Sequence, residues 1–96
     1  ADVLVFKVMN KMFALTALDR LPPQVNLKCD PERALTLRET YDGHIIPGFH
    51  MNKNTWNTIY LQQVPTTLIR ELIDHSYTLI VDGLPKKTRQ ALEDLE

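Results

Sequence analysis

Few residues in this sequence are of a type that does chemistry, and their spacing decides what each can do. Cys29 stands just ahead of a helix-start signature, Asp30-Pro31-Glu32, where a helix N-terminus lowers a thiol pKa toward the reactive thiolate. The alternation Val25, Leu27, Cys29 nevertheless turns that thiol to the apolar side of a strand, so a buried, inert cysteine is expected. His44 and His50 lie six residues apart on a segment broken by Pro47 and Gly48, with no acidic ligand near in sequence. That is not a zinc spacing, and neither a metal nor a cofactor is expected. His75 falls between Asp74 and Ser76, outside the apolar stripe of its helix, where it caps or solvates a surface. Glu71 and Asp74 form a helical pair of the kind that ordinarily faces solvent. There is no glycine-rich phosphate loop, dinucleotide fingerprint or nucleophile elbow, and no enzyme activity is expected.

Polar, basic and aromatic groups concentrate in one place: His50, Asn52, Lys53, Asn54, Trp56, Asn57 and Tyr60. Asparagine reads adenine edges, lysine neutralises phosphate, and β-ribbons enter DNA grooves. Against this, Asn52 to Asn54 is also ordinary turn composition, and Trp56 on an alternating strand reads as core rather than as a stacking platform. A small-ligand pocket lined by His50, Asn57 and Trp56 is a third possibility that no other residue requires.

The elements that must position these groups follow from periodicity. Val3 to Val8 and Met12 to Leu18 read as a hairpin turning at Asn10-Lys11, because both runs are rich in β-branched and aromatic residues. Asp19-Arg20-Leu21-Pro22-Pro23 stops the second strand, and Gln24 to Cys29 is a third, since proline gives the ladder no donor. Asp30 caps a helix with Pro31 at its first position, running to about Tyr41. His44 to Met51 is an irregular fourth strand, and Thr55 to Leu61 a fifth that pairs with it. Pro65 opens a helix whose Leu68, Ile69, Leu72, Ile73, Ser76, Leu79 and Ile80 share one side and which ends at Gly83. Leu68, Leu72, Ile73, Leu79 and Ile80 are expected against the sheet. A short charged helix follows Pro85, with Leu84, Thr88, Ala91, Leu92 and Leu95 as a narrow stripe. Five strands with hairpin connections and three helices give an α+β two-layer sandwich with a mainly antiparallel sheet. The helix between the third and fourth strands leaves room for one parallel pair.

Composition narrows the partners. Ninety-six residues make one domain, 44% hydrophobic and 24% charged, with a net charge of −1, which excludes a strongly basic nucleic-acid binder but not a local basic face. Residues 43–70 hold Lys53 and Arg70 and no acid, so an anion-preferring face belongs there. A single cysteine, Cys29, fits a reducing compartment. No membrane span, signal peptide or lipidation motif is seen.

The strings VFKVMNKMFAL, VNLKCDPERA, LRETYDGHIIPGFHMNKNTWNTIYL and ELIDHSYTLIVDGLPKKTR resemble the MmcQ/YjbR family of small bacterial proteins along nearly the whole chain. The resemblance implies a cytoplasmic α+β protein with a twisted antiparallel sheet backed by helices, and a DNA-binding role suggested by analogy between its hairpins and a double-wing motif. On the family pattern the polar run matches His50, Met51, Asn52, Lys53, Trp56 and Asn57, and the basic strand residues match Lys7, Lys11 and Lys28. It also implies a helix ahead of the first strand, which this sequence, starting at Ala1, does not show: either the sequence is a piece of a longer chain, or that helix is replaced and one sheet face, short of cover, wants a partner chain. The leading reading is a DNA-binding module with Lys7, Lys11, Lys28 and Lys53 on phosphates, His50, Asn52 and Asn54 near bases, and Asn57 also among the nucleic-acid-binding residues. The alternative is a protein-interaction or chaperone-like module offering a sheet face or edge to a peptide or to a second copy of itself.

Overall fold

The computed structural model describes residues 2–48 and 51–96. Five strands and three helices follow in the order β1 (Val3–Val8), β2 (Lys11–Ala17), β3 (Gln24–Lys28), α1 (Pro31–Thr40), β4 (Ile45–Pro47), β5 (Trp56–Tyr60), α2 (Thr66–Asp82) and α3 (Lys86–Leu95). The strands form one sheet in the order β1-β2-β3-β5-β4, and every neighbouring pair is antiparallel. No parallel pair arises, because α1 carries the chain past one strand width to the far edge and β5 returns into the vacant slot.

The register assigns the two faces. Val25, Ile59 and Ile45 share one row and Leu27, Asn57 and Pro47 the next; the buried aliphatic members of these rows pack on Ala34 and Leu37 of α1 and on Ile69 and Leu72 of α2. Gln24 opposite Tyr60, Asn26 opposite Thr58 and Lys28 opposite Trp56 lie on the other face, which no helix covers. Trp56 is therefore half-buried on the open face beside Lys28, not in the helix-backed core.

Local chemistry sets the boundaries. The first hairpin turns at Met9 and Asn10, both with positive φ (47° and 68°), the two-residue turn whose twist matches that of the strands. Opposite Phe6 the register shifts, and the extra residue, Phe13, swings to the helix side, where its ring meets Tyr77 edge-on at 5.3 Å. Asp30 accepts from the Arg33 amide at 3.1 Å and Pro31 occupies the first turn of α1, as that sequence dictates. The expected fourth strand, His44 to Met51, shortens to Ile45–Pro47. Proline ends the ladder, and Gly48 then donates to the Trp56 carbonyl at 2.9 Å. A side chain at Gly48 would stand 3.0 Å from Trp56 Cβ, so only glycine permits that approach.

Candidate functional site

Antiparallel connectivity gathers the sequence's scattered lysines. Lys7 lies at the end of β1, Lys11 at the start of β2 and Lys28 at the end of β3, while Lys53 sits in the loop just ahead of β5. Val8 pairs with Lys11, and Lys28 with Trp56. All four lysines, and both hairpin tips, therefore occupy one end of the sheet. Four adjacent strands at their usual spacing make that end about 14 Å across. Lys11 and Lys28 line one cleft of about 210 Å3 with Leu79, Ile80 and Leu84, so this end of the sheet lies beside the last turn of α2. Lys7, Lys11 and Lys53 are exposed and Lys28 is half-buried.

The asparagines divide. Asn54 is exposed on the loop. Asn52 uses its side-chain oxygen to accept from the Asn54 amide at 3.0 Å, and its carbonyl accepts from Thr55 and Trp56, a self-closed turn that leaves its amide nitrogen outward. Asn57 is interior, at 2% exposure. It accepts from Arg38 Nε at 2.7 Å and donates to the Ala34 carbonyl at 3.4 Å. The expectation that Asn57 belongs to a nucleic-acid-binding surface is thus corrected, since its register puts it on the helix side and its amide is consumed there. His50 lies outside the described residues.

Sequence reasoning missed Arg38. Its guanidinium donates to Asn57, to the Lys53 carbonyl and, at 3.5 Å, to the Trp56 carbonyl, so α1 holds the backbone of the loop that presents Lys53. The signal was present, because residue 38 follows Ala34 by four and Leu37 by one, on the buried side of the helix. Ser76 was read only as part of a stripe. It is fully buried, donating from Oγ to the Phe13 carbonyl at 2.7 Å and accepting from the Lys28 amide at 2.9 Å. The bulge at Phe13 opens the β2–β3 ladder, and this hydroxyl closes it.

The remaining titratable groups are structural. His75 Nε2 accepts from the Asp30 amide at 3.2 Å, and Arg33 pairs with Glu71, so α2 is tied to the start of α1 twice. The hydrogen bond from Arg33 holds the Glu71 carboxyl below its ordinary range. Burial pushes the Cys29 thiol above its ordinary value, against the pull of Arg33, which disfavours the thiolate that nucleophilic chemistry needs. Among the described residues no group of three or more His, Cys, Asp or Glu is placed to hold a metal ion, and no helix is long and apolar enough to cross a membrane.

Known proteins share this arrangement. A family model described as YjbR matches residues 1–79. The uncharacterised protein YbdF of Escherichia coli O157:H7 is 40% identical over 87 residues, covering 90% of this chain and 70% of the relative. The uncharacterised protein YjbR of Escherichia coli strain K12 is 37% identical over 90 residues, covering 93% and 75%. The crystal structure of Deinococcus radiodurans protein DR2400, of the family-model domain DUF419, superposes with a TM-score of 0.89 at 40% identity, over 95% of this chain and 70% of that one.

Proposed function

The chain belongs to the YjbR family, and from that premise we propose that it is a binding module, not a catalyst, whose lysine-bearing end engages the phosphate backbone of duplex DNA. One observation carries the reading: Lys7, Lys11, Lys28 and Lys53, scattered over 47 positions of sequence, meet at one end of the sheet together with both hairpin tips. Its width of about 14 Å spans a few successive phosphates. Arg38 supports the arrangement by anchoring the carbonyl of Lys53, so that lysine is presented from a fixed loop. The raised thiol of Cys29 favours binding over catalysis.

The test is fluorescence anisotropy of labelled duplex DNA at two low salt concentrations, with Lys53→Ala and Lys11→Ala in parallel. Affinity should fall with salt, and each substitution should reduce the slope by about 0.9 for every phosphate it leaves without its lysine. No binding at low salt, where non-specific attraction is strongest, overturns the reading.

A second reading rests on β1. Val3, Leu4, Val5 and Phe6 are all exposed on this edge strand. The Leu18 amide donates to the Asp2 carbonyl, so in the alternating ladder Val3 and Val5 turn their own backbone groups outward. An unprotected apolar edge is a template for strand addition, and a failed DNA titration moves the proposal to an extended polypeptide partner there.

A further inference from the structure

The open face of the sheet carries a second concavity, at the end opposite the lysines. Ala17 closes β2, Gln24 opens β3 and Val3 opens β1, and together with Leu15, Asn26 and Thr58 they line a trough of about 280 Å3. Arg20, from the loop joining β2 to β3, lines it too. We propose that this trough binds a small organic monocarboxylate with a short apolar body.

The hydrogen-bond balance points to a ligand. Gln24 is only 7% exposed, and its backbone carbonyl accepts from Thr16 Oγ1 at 2.6 Å. Among the described residues its side-chain amide has no partner, yet no side-chain polar atom in the described structure is both sealed from solvent and unpaired. The amide of Gln24 therefore opens to the trough it lines. Only a small area of that amide meets solvent, and a ligand seated in the trough would give it a fixed partner in place of water.

The chemistry of the lining selects the class. Thr58 Oγ1 donates to Asn26 Oδ1, leaving the Asn26 amide nitrogen as a free donor. Arg20 is exposed, and the ion pair found among the described residues is Arg33 with Glu71, so the Arg20 guanidinium has no carboxylate of its own. One cation with amide donors suits a single carboxylate, since guanidinium matches its planar fork. Val3, Leu15 and Ala17 supply the apolar part of the lining and favour hydrocarbon. The volume holds about nine water-sized groups and lies near the small end of ligand pockets, which begin at about 300 Å3. A carboxylate on a branched chain of about six carbons fits that space.

The probe is 4-methylpentanoate, with 4-methylpentanamide as the uncharged control, titrated into isotopically labelled protein and followed by backbone amide shifts. Saturable shifts confined to residues 3, 15–26 and 58 are expected with the carboxylate and not with the amide. Arg20→Gln should weaken binding at least about ten-fold without changing the fold, because its side chain is exposed. Gln24→Leu should abolish binding, since it removes the amide donor that faces the trough. No saturation by about 10 mM, shifts unaffected by Arg20→Gln, or undiminished binding by Gln24→Leu would each overturn the proposal. No lysine of the opposite end enters this test, so a failed DNA titration leaves it standing.

Discussion

Helices α2 and α3 carry the same kind of sequence and meet different fates. Both follow a proline, both are amphipathic, and both lack a side-chain cap. In α2, Ile69, Leu72 and Ser76 are buried; in α3 no residue is. Leu92 lines an open cleft of about 560 Å3 between the two helices with Tyr77 and Val81, and Leu95 is 78% exposed. Part of the difference lies in the helices, since α3 is the shorter and more polar, and part in the sheet. Five strands span about 19 Å from first to last axis, and two helices of about 10 Å diameter fill that width. With α1 over β4 and β5, and α2 over β1, β2 and β3, nothing remains on that face for α3 to cover. Periodicity says that a helix forms and which side is apolar; the receiving surface decides whether that side is used.

The largest expected effect breaks α2 from the sheet. Leu72 is 2% exposed within the main cluster, and Leu72→Ala should cost about 2 to 5 kcal/mol in urea denaturation, through lost transfer energy and the cavity left behind. A cost under about 1 kcal/mol would show that α2 is not seated as described. Ser76→Ala comes next, at about 1 to 3 kcal/mol, because it strands the Phe13 carbonyl and the Lys28 amide in the interior. Hydrogen exchange at the Lys28 amide discriminates the cause. Protection should collapse there while the amides of α2 change only with global stability.

That stitch marks where the sequence stopped being legible. The strands, helices and layer arrangement follow from periods of two and 3.6 residues, and the buried thiol of Cys29 from its place in an alternation. Three features did not follow. The bulge at Phe13 depends on how β2 meets its two neighbours, which no local pattern encodes. Asn57 reads as a surface amide by type, yet pairing with Leu27 and Pro47 puts it on the helix side, where only Arg38, 19 positions away, makes it tolerable. Strand order was equally hidden, because whether α1 leads to a parallel neighbour or to the far edge depends on which slot β5 fills. In the candidate site, the lysine types were visible and their gathering at one end was not, since that needed the hairpin directions and the strand order together.

The smallest effect is the sharpest test of the comparison. Leu95→Ala deletes the same atoms as Leu72→Ala, from a helix that is also amphipathic but carries a narrower apolar stripe. With the side chain 78% exposed it should change stability by no more than about 0.5 kcal/mol. Because the chemistry of the two substitutions is identical, their ratio measures only the surface each leucine meets. A cost for Leu95→Ala above about 1 kcal/mol would mean that α3 packs in solution against something besides α2. Dependence of that cost on protein concentration would then identify a second copy as the missing surface, whereas independence would place the contact within the chain and move α3 from its projecting position onto the body of the fold.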